Sequence, residues 1–64
     1  MNVSIRRAEI DDLDGIFRIE KDTFTDYWSY ESLYEDIYKT SISYYLVACT
    51  KEAVIGYIGM WHVL

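Results

Sequence analysis

A chain of 64 residues that is 52% hydrophobic and carries a net charge of −5 makes one small domain, too apolar for disorder and too acidic to favour nucleic acid as a direct partner. One cysteine and one histidine exclude an internal disulfide and a Cys/His metal site built from this chain alone. No uncharged run approaches the roughly 20 residues that cross a bilayer, and Met1 to Arg7 lacks the apolar core of a secretory signal, so a soluble, cytoplasmic setting is expected, with no membrane partner.

In chain order, Val3-Ser4-Ile5-Arg6-Arg7 alternates apolar and polar residues and predicts a first strand with Val3 and Ile5 on one face. Ala8 and Glu9 connect it to a helix in which Ile10, Leu13, Ile16, Phe17 and Ile19 recur at helical spacing through about Phe24. Asp11, Asp12 and Asp14 fall in its first turns, where carboxylates favour the exposed amides and the positive end of the helix dipole. They do not continue into the alternating ligand pattern and closing glutamate of a calcium loop, so no metal is expected.

Thr23 to Ser29 breaks the helical pattern, and Ser29 is a good N-cap. Tyr30, Leu33, Tyr34, Ile37 and Tyr38 then mark the buried stripe of a second helix, with Glu31, Glu35, Asp36 and Lys39 on its other side and Glu35 and Lys39 spaced to pair. Ser43 to Cys49 and Ala53 to Leu64 are two runs rich in β-branched and aromatic residues around a polar break, which read as a hairpin. Its turn, Thr50-Lys51-Glu52-Ala53, lacks the Gly or Asn that positive φ prefers. The order strand, helix, helix, strand, strand predicts an α/β (α+β) layer in which two helices pack on a mostly antiparallel three-stranded sheet, the hairpin strands being antiparallel to each other.

The last run, Val54 to Leu64, is apolar enough for the middle of a sheet, and nothing follows to cover it. The chain is therefore expected to be the opening part of a larger fold and also, since a bare apolar edge invites pairing, to self-associate through Val54 to Leu64. At this size only about 60% of the unfolded surface can be buried, so outside support is also needed for stability.

Few side chains carry chemistry. Cys49 sits in an apolar strand with nothing basic beside it in sequence, the setting of a small hydrophobe rather than a nucleophile. His62, beside Trp61, reads as a strand surface residue. Gly56 and Gly59 lie within a strand, without the helix N-terminus that makes a phosphate cradle. Tyr27 and Trp28 differ, because large aromatics in a polar inter-helix loop serve either as binding anchors or as a plug in the helix junction.

Ile5-Arg6-Arg7-Ala8, the helix from Asp12-Leu13 through Ile16 and Ile19, Trp28-Ser29 opening a second helix, Leu46-Val47-Ala48, and Ile55-Gly56-Tyr57-Ile58 together resemble the N-terminal portion of the GNAT N-acetyltransferases. The likeness is greatest to the ribosomal-protein alanine N-acetyltransferase branch. It implies that residues 1–64 are a single N-terminal subdomain, truncated before the acetyl-CoA-binding motif. It also implies that Tyr27, Trp28 and Ser29 lie near the entry of an acceptor, a protein or peptide N-terminus. The family's Arg/Gln-x-x-Gly-x-Gly/Ala loop does not occur here, so acetyl-CoA is expected for the full-length parent and not for this chain. No catalytic and no cofactor-binding residue is carried over. The chain also departs from the family in having no proline, and in having Glu52 near the usual hairpin glycine.

Two functions follow as expectations. The first is an N-terminal fragment of an acetyl-CoA-dependent N-acetyltransferase acting on a protein or peptide amine, inactive alone. The alternative is a small, non-enzymatic interaction module that associates through its exposed C-terminal strand.

Overall fold

A computed structural model describes residues 2–61 of the chain. The expectations for His62 and for the end of the last strand at Val63 and Leu64 lie outside the described residues. Strand β1 spans Ser4–Arg7 and is followed by a 3-10 turn, Ile10–Asp12, and helix α1, Leu13–Thr23. Helix α2, Tyr30–Tyr34, continues into a π-helical turn, Glu35–Lys39, and strands β2, Ser43–Cys49, and β3, Val54–Trp61, complete the fold. The sheet order is β1-β2-β3 with both pairings antiparallel. The two-helix layer over a three-stranded antiparallel sheet read from the sequence is thus present.

The core is small: Leu13, Ile16, Leu33, Val47 and Val54 are buried, with Phe17, Ile19, Tyr34, Ile37, Tyr38 and Tyr57 packed around them. Leu13 and Ile16 present one face of α1 at i, i+3 spacing to the sheet. Ile10 lies outside this stripe and is exposed, because the first helical turn is a tighter 3-10 turn that ends before α1 begins.

The structure corrects the sequence reading in several places. Asp12 does more than favour a helix dipole. It is buried, accepts two bonds from the Arg6 guanidinium at 2.7 and 2.9 Å, and accepts a third from the Glu9 amide at 2.7 Å. This fork-to-carboxylate pair fixes β1 to the start of the helical layer. Asp36 is also buried rather than on the solvent side of the second helix, where the π-helical turn closes with the Thr40 amide donating to the Glu35 carbonyl at 3.0 Å. Lys39 lies over the Tyr34 ring at 5.7 Å, and no ion pair joins it to Glu35 among the described residues.

The hairpin needs no glycine because no described residue has positive φ. The Thr50 amide donates to the Ala53 carbonyl at 2.9 Å, and the Thr50 hydroxyl accepts from the amides of Glu52 and Ala53 at 3.2 and 3.3 Å. A register shift between Ala48 and Cys49 absorbs the extra residue on β3.

Strand β3 lies at an edge of the three-stranded sheet, as expected of a last strand with nothing to cover it. The strand alternation puts Ile5, Leu46, Ala48, Gly56 and Ile58 on the face away from the helices, where they line an apolar hollow of about 220 Å³.

Candidate functional site

The segment between α1 and α2 is where the sequence reading placed its candidate residues Tyr27, Trp28 and Ser29, and all three are exposed. Ser29 caps α2 as expected: its hydroxyl oxygen accepts from the Ser32 amide at 3.1 Å. Tyr27 meets the Phe17 ring edge-on, with centroids 6.0 Å apart. Trp28 retains 43% of its surface and borders a groove of about 320 Å³ with Glu31, Ser32, Glu35, Asp36 and Thr40. An aromatic plugging the helix junction would be buried, and Trp28 is exposed.

Beneath this segment the structure brings together two carboxylates that the sequence reading did not single out. Glu20 is 6% exposed. It accepts from the Trp28 amide at 3.3 Å through Oε1 and from the Tyr57 hydroxyl through Oε2. Asp36, 8% exposed, accepts from the Ser43 hydroxyl at 2.9 Å, the Tyr45 hydroxyl at 2.6 Å and the Trp61 indole N–H at 3.2 Å. The rings of Tyr45 and Tyr57 are stacked at 6.4 Å, so the two carboxylates are joined through a tyrosine pair. Burial, then the adjoining carboxylates, push both tyrosine hydroxyls well above their ordinary 10.0. Both therefore stay protonated donors at neutral pH.

The signal for these residues was present in the spacing. Glu20 falls at i+7 from Leu13 and i+4 from Ile16, and Asp36 at i+3 from Leu33, so each lies on a buried stripe. Polar identity hides such positions from a search for apolar periodicity, although a carboxylate there must find hydrogen-bond donors.

The other sequence candidates are placed apart from this cluster. The Cys49 thiol is free and faces the Ser4 carbonyl at 3.8 Å, on the β1 side of the sheet. Gly56 and Gly59 lie inside β3, and a Cβ on Gly59 would stand 2.6 Å from the Tyr45 ring. That glycine admits a neighbouring ring rather than a phosphate.

The start of α1 carries the acidic side chains Asp11, Asp12 and Asp14, which repel a pyrophosphate. The chain reaches α1 through the 3-10 turn, where the carboxylate of Asp12 is already committed to Arg6 and to the Glu9 amide. Helix α2 is five residues long and its Ser32 amide is taken by Ser29. Among the described residues, no group of acidic, histidine or cysteine side chains is arranged to hold a metal ion, and no helix is long and apolar enough to cross a membrane.

No family model matches the chain, and no solved structure matches it. A protein of Bacillus subtilis (strain 168), provisionally named a ribosomal protein bS18-alanine N-acetyltransferase, is 30% identical over 61 residues. That alignment takes in 95% of this chain but 40% of the relative, so the chain spans less than half of the relative's length. The resemblance to the GNAT N-acetyltransferases, and within them to the ribosomal-protein alanine branch, is thereby shown across nearly the whole of this chain.

Proposed function

We propose that this chain is the N-terminal portion of an acetyl-CoA-dependent N-acetyltransferase acting on a protein or peptide amine, and that it supplies part of the acceptor wall. The observation that carries the reading is the 30% identity over 61 residues to the alanine N-acetyltransferase relative. The strand, helix, helix, strand, strand order of the fold accords with it. On this reading residues 1–64 form one subdomain that ends before the acetyl-CoA-binding motif, the setting is cytoplasmic, and the chain is inactive by itself.

The acceptor residues are Tyr27, Trp28 and Ser29. The half-exposed Trp28 ring offers an anchor, and the adjacent Glu31 and Glu35 suit an acceptor that enters as a cation. Positioning an amine in such a wall supplies orientation, while the thioester and the groups that move protons come from elsewhere in the parent.

The test is calorimetric titration of the 64-residue chain with acetyl-CoA, on a sample whose circular dichroism shows it folded. No saturable heat is expected. Saturable binding would put a cofactor site within these residues and overturn the proposed division of labour.

A second reading, a small module that associates through its last strand, is favoured by the position of β3 at the sheet edge with Ile55, Ile58 and Met60 exposed. Sedimentation over a concentration series, repeated with Ile58→Lys, tests the pairing. Self-association that the substitution abolishes supports pairing through β3, and a monodisperse monomer at high concentration removes it.

A further inference from the structure

Glu20 occupies an unusual place in the acceptor wall. Its backbone carbonyl accepts from the Phe24 amide at 3.0 Å and so ends α1. Its carboxylate reaches eight residues onward to the Trp28 amide at 3.3 Å, and also takes the Tyr57 hydroxyl from β3. One residue thus closes the helix, ties down the segment that leaves it and fixes both to the sheet. Nothing in the reactivity of an acceptor wall requires a carboxylate there. A buried ionised group is costly unless its oxygens are satisfied, and an apolar residue on this stripe would serve packing as well.

We propose that Glu20 is a positioning residue for acceptor binding: its buried carboxylate holds the Trp28 peptide unit against β3 and so sets where the Trp28 ring stands at the groove. The inference rests on the acceptor reading of Tyr27 to Ser29 given above. Glu20 itself acts through the Trp28 backbone. The link extends further, because Tyr57 stacks on Tyr45 and Tyr45 donates to Asp36. Asp36 borders the same groove as Trp28. The two sides of the groove are therefore held by one chain of contacts, Glu20 to Tyr57 to Tyr45 to Asp36, and displacing the first member moves the relation between them.

A carboxylate suits the task better than a neutral group because a hydrogen bond to an ionised acceptor is the stronger kind. Glutamine retains an acceptor oxygen for the Trp28 amide and a second polar atom toward Tyr57, whereas alanine retains neither. Glu20→Gln is accordingly expected to preserve most of the anchoring, and Glu20→Ala to lose it.

The test measures two quantities on the unsubstituted chain, Glu20→Ala and Glu20→Gln: amide hydrogen exchange at Trp28, and binding of a peptide with a free N-terminal alanine. Exchange at Trp28 is expected to quicken by about tenfold in Glu20→Ala, the loss of one hydrogen bond to a charged group. Exchange at Val47 in the core should stay protected, and peptide affinity should fall in parallel, with recovery of both in Glu20→Gln. Unchanged Trp28 exchange, or quickened exchange with unchanged peptide affinity, would overturn the inference. Equal quickening at Val47 in both variants would also overturn it, by showing that Glu20 holds the whole fold rather than the segment. The two failures are distinguishable: an unsubstituted chain that binds no peptide defeats the acceptor reading, whereas unchanged Trp28 exchange defeats the anchoring.

Discussion

Tyr45 and Tyr57, on neighbouring strands, stack with their rings 19° from parallel, yet each hydroxyl goes to a different buried carboxylate, Asp36 for Tyr45 and Glu20 for Tyr57. Asp36 also holds Ser43 and Trp61, so Tyr45→Phe removes one of its donors while keeping the ring stack. The expected cost is about 1–2 kcal/mol, read as a lower urea midpoint with unchanged slope.

Gly59 faces the same ring from β3. An alanine Cβ there would come within 2.6 Å of the Tyr45 ring. A free ring end could swing aside cheaply, but this one is held by Asp36 and by Tyr57. Gly59→Ala is expected to destabilise by about 1–3 kcal/mol. Combined with Tyr45→Ala, which removes the obstructing ring, the cost of Gly59→Ala should largely vanish in a double-mutant cycle.

The partly buried tyrosines set a limit on alkaline stability. Burial, then the nearby Asp12, pushes the Tyr38 hydroxyl up to about 12 from 10.0. Tyr45 and Tyr57 are pushed up further by burial and by Asp36 and Glu20. A group whose folded pKa is raised stabilises fully below its unfolded value, and that stability is lost as pH rises through the folded value. Thermal midpoints should therefore hold up to about pH 10 and fall steeply between about pH 10 and 12. Tyr38→Phe should make that fall shallower.

The acid side has a different origin. The Arg6 guanidinium, and after it the Glu9 amide, hold the Asp12 carboxyl below its ordinary 3.8. A lowered folded pKa stabilises above the unfolded value and is lost as pH falls through the folded one. Stability from this pair should be complete above about pH 4 and decline below it. Asp12→Asn should be less stable at neutral pH and lose less on acidification, as shown by denaturant midpoints across that range.

Much of the architecture was legible because apolar spacing reports it directly. Leu13 and Ile16, the Ser29 cap and the strand Ser43 to Cys49 follow from period and capping chemistry. The buried carboxylates Glu20 and Asp36 fall on the apolar stripes by spacing, but their polar side chains hide them from a search for apolar period. Their partners, Tyr57 and Tyr45, lie 37 and nine positions away. A long-range contact of this kind leaves no local pattern. The hairpin turn was obscured for the opposite reason: Thr50 satisfies the turn amides with its hydroxyl, which a search for glycine passes over. Tyr27, Trp28 and Ser29 stood out as aromatic and capping residues in a polar segment, but the groove beside Trp28 required the placement of Glu35 and Asp36 by the π-helical turn.

Acceptor binding at the segment around Trp28 can be read residue by residue. It is tested most directly by recording amide and indole resonances of the isotope-labelled chain during titration with a peptide bearing a free N-terminal alanine, and with its N-acetylated counterpart. Saturable shifts concentrated at Tyr27, Trp28 and Ser29 are expected for the free amine, and weaker ones for the acetylated peptide. No shifts at these residues, or equal shifts with both peptides, would contradict it.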